Sequence, residues 1–206
     1  MQSIQTVSEN TIYVGASDRR LAKFENLFPI PRGVSYNAYV ILDEKTALLD
    51  TADASVGAQF LENVAAALDG RKLDYLIVDH MEPDHAAMIE AVLVRWPDLR
   101  LVVNAKTLPM LKMYFPTDNA AIDDALVVKE GDTLDLGKHK LTFVMAPMVH
   151  WPEVMMTFDT TTGTLFSADA FGTFGALEGA LFADEVDFAG KWLDDARRYY
   201  TNIVGK

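Results

Sequence analysis

The sequence contains no cysteine, which excludes a disulfide framework, a zinc ribbon, an iron–sulfur cluster and a thiol nucleophile. No apolar run approaches the roughly 18 residues that a membrane helix needs. The first ten residues, MQSIQTVSEN, lack the basic and apolar regions of a signal peptide. Basic residues are scarce, with 18 Lys and Arg against 30 Asp and Glu and a net charge of −12. Nucleic acid and anionic membranes are therefore not expected as partners, and we expect a cytoplasmic protein.

The 206 residues are 50% hydrophobic and 23% charged, a balance typical of a globular protein rather than a disordered one. A chain of this length can bury a full core as one large domain or as two small ones. No internal repeat, low-complexity tract or Gly/Ser/Pro-rich linker divides it. We therefore expect residues 1–206 to form a single domain.

Apolar periodicity predicts a mixed α/β fold (α+β in type), with two sheet-forming halves and helices outside them. The strands predicted in the first half are Ile4–Val7, Thr11–Val14, Tyr36–Leu42, Ala47–Asp50, Leu73–Val78 and Leu99–Val103. Those predicted in the second half are Leu126–Val128, Thr133–Leu136, Lys140–Ala146, Val154–Phe158 and Thr164–Ser167. Helical spacing predicts helices at Phe60–Leu68, Ala86–Trp96, Leu108–Phe115 and Phe188–Ile203.

The segment Asp79–His85, which follows a predicted buried strand, carries four candidate metal ligands. These are His80, Glu82, Asp84 and His85. In α/β proteins, sites lie at the carboxyl ends of strands, and a loop folded over a cation can turn alternate residues inward. An acidic loop with His can also be a solvated turn. Buried carboxylates at this density, however, repel one another unless cations neutralise them.

Two further candidates, His150 and Asp169, follow other predicted strands. Six His and carboxylate ligands are too many for one tetrahedral ion but suit two ions that share a carboxylate. Taken singly, His150 is more readily interpreted as a surface or hydrogen-bonded core residue, and Asp169 could be a turn cap. His139 lies in a turn between basic residues, and we interpret it as such a non-ligand residue.

The ordered set His80-x-Glu82-x-Asp84-His85, His150-Trp-Pro and Asp169 in Ala-Asp-Ala-Phe-Gly resembles the iron-binding domain of flavodiiron proteins (A-type flavoproteins). The likeness runs over essentially the whole chain. It includes Tyr36-Asn-Ala-Tyr before Leu48-Leu-Asp-Thr, and the closing stretch Tyr199-Tyr-Thr-Asn-Ile. Matches that need several separated motifs are specific.

The resemblance implies a metallo-β-lactamase-like αββα sandwich that holds two iron ions. His80, Glu82 and His150 would bind one iron, Asp84 and His85 the other, and Asp169 would bridge them. The implied activity is the reduction of O2 to water or of NO to nitrous oxide. The electrons would come from FMN on a flavodoxin-like domain or another donor, and the full-length family is expected to be homodimeric.

Two parts of the family pattern are missing from this sequence. A final His ligand lies downstream of the closing helix in the family, whereas this sequence ends at Lys206, and no flavodoxin-like stretch is present. We expect either a fragment truncated at its C-terminal end or a naturally short relative. The helical pattern that runs to the last residues favours the fragment.

Two other functions remain open from the sequence. One is a non-enzymatic diiron protein that senses O2 or iron, and the other is a dinuclear zinc hydrolase on the same scaffold. Hydrolases of this superfold resemble H-x-H-x-D-H at the loop, where this chain has Glu82. A carboxylate in place of imidazole favours iron or manganese over zinc. For the apolar wall of a gas pocket the candidates are Tyr36, Trp151 and Phe171, whereas Phe174 is expected to be ordinary core.

Overall fold

The computed structural model describes residues 3–115 and 119–205. Within these ranges the chain forms fifteen strands, most of them short. They are β1 (Gln5–Ser8), β2 (Thr11–Tyr13), β3 (Ala16–Asp18), β4 (Lys23–Phe24), β5 (Phe28–Pro29), β6 (Val34–Tyr36), β7 (Tyr39–Leu42), β8 (Thr46–Leu49), β9 (Tyr75–Ile77), β10 (Arg100–Asn104), β11 (Leu126–Val128), β12 (Thr133–Asp135), β13 (Lys140–Met145), β14 (Met155–Asp159) and β15 (Thr164–Phe166).

The same ranges contain seven α-helices and three shorter helical turns. The α-helices are α1 (Gly57–Leu68), α2 (Pro83–Ala86), α3 (Ile89–Arg95), α4 (Thr107–Tyr114), α5 (Ala120–Asp123), α6 (Phe188–Lys191) and α7 (Leu193–Tyr199). The turns are 3-10 helices at Ala54–Val56 and Ala183–Glu185 and a π-helical turn at Tyr200–Val204. No helix in the described part of the chain has the length and apolar character required to cross a membrane.

Two sheets form the centre of the fold. The larger has the order β1-β2-β7-β8-β9-β10-β11, and the smaller has the order β12-β13-β14-β15. The larger sheet is antiparallel from β1 to β8 and parallel from β8 to β11. Parallel neighbours need crossover connections, which α1 to α5 provide. The small sheet is antiparallel throughout.

Alternation along the strands of the large sheet divides its side chains between two apolar layers. Val40 and Leu48 point to the layer that also contains Phe60 of α1. Their neighbours Ile41 and Leu49 point to the layer between the two sheets, where Phe143 of β13, Met155 and Phe166 pack. This period of two is what a strand buried on both faces produces, and it confirms the mixed α/β fold.

The structure corrects the predicted segments at three places. The predicted strand Tyr36–Leu42 is two strands, because β6 pairs with β3 whereas β7 pairs with β2 and β8. The helix predicted from Ala86 begins earlier, at Pro83, and a break at Ala87–Met88 separates it from α3. The closing helix is divided at Trp192 and ends in the π-helical turn. The short strands β3 to β5 and helix α5 were not predicted.

Candidate metal centre

The segment after β9 delivers four of the six candidate ligands to the edge where the two sheets meet. Asp79 is tied to the small sheet, because its carbonyl accepts the Met155 N–H at 3.0 Å and its carboxylate accepts the Thr157 hydroxyl at 2.8 Å. His80 and Glu82 follow and are buried, and the backbone of Glu82 is extended. The next two ligands are not in a loop as predicted, since Pro83 opens α2 and places them in its first turn.

The other two candidates arrive from the small sheet. His150 lies in the turn that follows β13, and Asp169 follows β15. The residue before Asp169, Ala168, has a φ of 46°, a left-handed conformation that is uncommon for residues other than glycine. The backbone therefore turns sharply to bring the Asp169 carboxylate, which is buried, between the three histidines.

One group of four side chains could hold a first metal ion: His80, Glu82, His150 and Asp169. Nε2 of His150 lies 2.9 Å from Glu82 Oε2 and 3.2 Å from Asp169 Oδ2. Nε2 of His80 lies 3.4 Å from each of the same two oxygens. All four ligand atoms lie within 4.8 Å of one another. We refer to this group as the first position.

A second group of three side chains shares Asp169 with the first: Asp84, His85 and Asp169. Here the other oxygen of the shared carboxylate takes part, because Asp169 Oδ1 lies 3.1 Å from His85 Nε2. Asp84 Oδ2 lies 4.0 Å from the same nitrogen. We refer to this group as the second position. Asp169 thus directs one oxygen to each position, as a bridging carboxylate would.

Two buried ligand atoms have no hydrogen-bond partner in the described part of the chain: His80 Nε2 and Asp84 Oδ1. Buried polar atoms are normally satisfied, and these two belong to side chains of the first and the second position, respectively. His and carboxylate donors suit iron, manganese or zinc. The residues present therefore fit a pair of metal ions.

The carboxylates and histidines shift one another's ionisation strongly. Although burial opposes protonation, hydrogen bonds to carboxylates raise the pKa of His80 to about 10 and that of His150 to about 9. Burial raises the pKa of Asp84 to about 7, with a contribution from the neighbouring carboxylates. Burial opposes ionisation of Glu82, but His150 and His80 lower its pKa to about 2. Without metal the site is balanced by protons on histidine, which a cation would displace.

Three further side chains hold the ligands from behind, and no role was predicted for them. Glu153 Oε1 lies 2.7 Å from His80 Nδ1, and Asp50 Oδ2 lies 2.9 Å from His85 Nδ1. The Tyr199 hydroxyl donates to Asp169 Oδ1 at 2.6 Å. Asp50 and Tyr199 belong to the stretches that carry the family resemblance. Glu153, three residues after His150, had no such signal.

A cavity of about 410 Å³ leads from the surface to the second position, where Asp84, His85 and Asp169 line it. Of the predicted wall residues, Tyr36 is buried and lines this cavity, whereas Phe171 lines its mouth and is 81% exposed. Access from solvent is therefore on the side of the second position.

The other residues discussed from the sequence do not line the cavity. They are Trp151, which contacts the ligands, and Phe174 and His139, which lie in the core. The ring of Trp151 packs edge-on against His80 and His150, at centroid distances of 5.3 and 6.1 Å. Phe174 packs in the core against Phe24 and Tyr199, as expected. His139 is outside the site and is buried, with Nδ1 2.8 Å from Asp159 Oδ2. It is a hydrogen-bonded core residue rather than part of a solvated turn.

A sandwich of two sheets with helices outside, carrying a histidine–carboxylate cluster at its strand ends, defines a metallo-β-lactamase-like protein whose cluster could hold metal ions. Residues 34–201 match the family described as "ODP family beta lactamase". The chain therefore belongs to this family, and it corresponds to the diiron domain of the flavodiiron proteins.

Curated relatives and solved structures agree with this assignment. The chain is 37% identical over 200 residues to a nitric oxide reductase of Moorella thermoacetica, with 96% of this chain and 49% of that protein covered. It is 38% identical over 202 residues to an anaerobic nitric oxide reductase flavorubredoxin of Klebsiella pneumoniae, with 96% and 40% covered. The chain thus spans about half the length, or less, of these relatives.

Among solved structures, the chain is similar to the flavodiiron protein of Giardia intestinalis. The TM-score is 0.90 with 27% identity, covering 100% of this chain and 49% of that one. It is equally similar to rubredoxin oxygen:oxidoreductase of Desulfovibrio gigas, with a TM-score of 0.90 and 32% identity over 98% of this chain and 49% of that one. The metallo-β-lactamase-like αββα fold class is confirmed.

Proposed function

We propose that this chain is a non-haem diiron domain that reduces NO, O2 or both with electrons from a flavin-carrying partner. The observation that carries the proposal is the division of Asp169 between the two positions, with Oδ2 beside His80 and His150 and Oδ1 beside His85. A shared carboxylate is what two ions held at bridging distance require. In this proposal His80, Glu82 and His150 hold the first iron, and Asp84 and His85 hold the second.

Glu82 supports iron over zinc at the first position. Its carboxylate is buried and stays ionised, since its pKa is lowered to about 2 against the effect of burial by His150 and His80. A hard, negatively charged oxygen in place of an imidazole favours iron or manganese. When bound, iron supplies the redox chemistry that His and carboxylate side chains lack.

The chain's own residues have three tasks in this proposal. Histidines and carboxylates fix the two positions, while Glu153 and Asp50 orient the rings of His80 and His85 from behind. The cavity admits a small gas molecule on the side of Asp84 and His85. Its volume of about 410 Å³ is far larger than a diatomic gas needs, which leaves room for a partner to approach the mouth at Phe171.

The names of the relatives support this class of reaction. The Moorella and Klebsiella proteins are named as nitric oxide reductases, and the Desulfovibrio protein as an oxygen oxidoreductase. Because this chain matches less than half of each, we assign the FMN to a flavodoxin-like domain or a separate donor. We further propose that residues 1–206 act as one domain and that the protein works as a homodimer.

The proposal is tested by loading the metal-free chain with Fe²⁺ without oxygen and measuring bound metal by mass spectrometry. We expect about two irons per chain. NO and O2 electrodes then follow consumption when a reduced flavoprotein is added. Asp169→Asn should abolish turnover, whereas Asp159→Asn, which alters a buried carboxylate beside His139 outside the site, should not.

Other outcomes would contradict the proposal in distinguishable ways. Retention of two zinc ions with exclusion of iron would indicate the hydrolase. A long-lived absorption band after O2 is added to the ferrous protein, with no turnover when the reduced flavoprotein is present, would indicate the sensor.

A further inference from the structure

Glu153 is a completely buried carboxylate outside the six candidate ligands. It lies three residues after His150, and its side chain reaches back to the loop that follows β9. Oε1 lies 2.7 Å from His80 Nδ1 and also accepts the Met81 N–H at 3.0 Å. A carboxylate oxygen can only accept, so the proton of this bond belongs to His80 Nδ1. Nε2 of the same ring is then free to bind a metal.

The backbone of Glu153 is anchored independently of its side chain. Its carbonyl accepts a hydrogen bond from Asn104 Nδ2 at 2.5 Å. Asn104 ends β10, and its Oδ1 accepts the N–H groups of Lys106 and Thr107 at the start of α4. The backbone of Glu153 is therefore fixed to β10 of the large sheet. The same segment therefore supplies the ligand His150 and, through Glu153, holds the ligand His80 in place.

The second oxygen of Glu153 makes no hydrogen bond that could account for a carboxylate at this position. Oε2 is buried and has no hydrogen-bond partner among residues 3–115 and 119–205. A buried charge with an unsatisfied oxygen is costly unless a partner compensates it. The partners that compensate this charge are the His80 ring and the Met81 N–H, both on Oε1. No packing requirement explains a glutamate here, since an apolar side chain would avoid that cost.

We infer that Glu153 is a positioning residue that fixes the His80 ring with Nε2 toward the first position and thereby sets the metal affinity of that position. This inference rests on the proposed metal centre and adds a residue that carries no ligand atom of its own. Asp50 holds His85 in the corresponding way at the second position. The two positions therefore have separate supports.

Two substitutions separate the reach of the side chain from its charge. Glu153→Asp keeps the charge but is one methylene shorter, so the bond to His80 Nδ1 is lost. Glu153→Gln keeps the length, and its amide oxygen can still accept from His80 and Met81. Loss of a carboxylate that orients a ligating histidine lowers metal affinity about 10–100-fold. We expect Glu153→Asp to fall in this range at the first position and Glu153→Gln to be closer to the unsubstituted protein.

The experiment uses Co²⁺ as the probe, on the full chain and without any activity assay. Equilibrium dialysis against buffered Co²⁺ gives the two binding constants, and the d–d absorption bands report coordination at each step. Asp159→Asn is the matched control, because Asp159 is also buried and lies 2.8 Å from a histidine Nδ1. Thermal unfolding of every variant is measured without metal.

The outcomes are distinct. The inference is supported if Glu153→Asp binds Co²⁺ more weakly at one position and its absorption bands change. Binding should be partly restored in Glu153→Gln, and Asp159→Asn should bind Co²⁺ as the unsubstituted protein does. The inference is overturned if Glu153→Asp loses thermal stability as Asp159→Asn does but binds Co²⁺ with an affinity within about threefold of that of the unsubstituted protein. The proposed metal centre would not be affected by that result. Failure of the unsubstituted chain to bind two Co²⁺ would instead overturn the proposed function.

Discussion

Replacing Tyr199 with Phe removes one hydroxyl group from the centre of the site. This hydroxyl donates to Asp169 Oδ1 at 2.6 Å, and both side chains are buried. Burial, with Asp169 close by, raises the pKa of Tyr199 well above its usual value, so the group remains a donor near neutral pH. Hydrogen bonds to charged groups contribute about 1.5–3 kcal/mol. We expect Tyr199→Phe to lower the free energy of unfolding of the metal-free protein by about this amount.

The same substitution should have a smaller effect once metal is bound. Oδ1 is the oxygen of Asp169 that faces His85 and the second position, so a cation there would neutralise the charge that the tyrosine leaves uncompensated. Urea unfolding of the metal-free and Co²⁺-loaded proteins measures both effects. The control is Tyr200→Phe, because Tyr200 is the next residue and is 61% exposed.

Two results would refute this reasoning about Tyr199. Equal stability of the metal-free Tyr199→Phe and unsubstituted proteins would show that the hydrogen bond contributes nothing net. An equal loss in Tyr200→Phe would show that the effect belongs to the closing helical segment and not to the contact with Asp169.

Two further predictions concern metal choice and pH. Glu82→His should lower the preference for iron and raise zinc occupancy, because it restores an imidazole at the first position; unchanged metal content by mass spectrometry would contradict this. The metal-free protein should lose thermal stability as pH rises. Protonated His80 and His150 have raised pKa values, so they stabilise the fold fully below about pH 6.5. This stabilisation is lost by about pH 10 for His80 and about pH 9 for His150. Metal needs the deprotonated histidines, so Co²⁺ affinity should rise over the same interval; a melting temperature that does not change with pH would be the contrary result.

The sequence predicts the gathering of the six candidate ligands because their signal is local. Four lie within six residues after a buried strand, and the others, His150 and Asp169, follow strands whose apolar pattern is plain. Strand ends of facing sheets meet at an edge, so the side chains that follow them converge. The position of α2 was also within reach, since Pro83 is typical of the first turn of a helix.

The roles of the side chains behind the ligands could not be predicted, because no local pattern pairs them with a particular ligand. Glu153 is 73 residues from His80, and Asp50 is 35 residues from His85. Each pairing depends on the register and packing of strands from different parts of the chain. The short strands β3 to β5 escape prediction because two or three residues carry little periodicity and no longer apolar run surrounds them.

Part of the acidic excess of the chain lies at the metal centre and in the side chains behind its ligands. Asp79 is buried near the ligands, and burial together with Asp50 raises its pKa well above the usual value, which favours its neutral form. Glu153, Glu82 and Asp169, whose pKa values are lowered, concentrate negative charge at one edge of the sandwich. Such a cluster destabilises a fold unless positive charge enters it. Without metal, protonated histidines supply this positive charge. Divalent cations would add stability in proportion to their binding free energy. Folding and metal loading should therefore be coupled in this chain, so that the acids which select the metal also make the folded state depend on it.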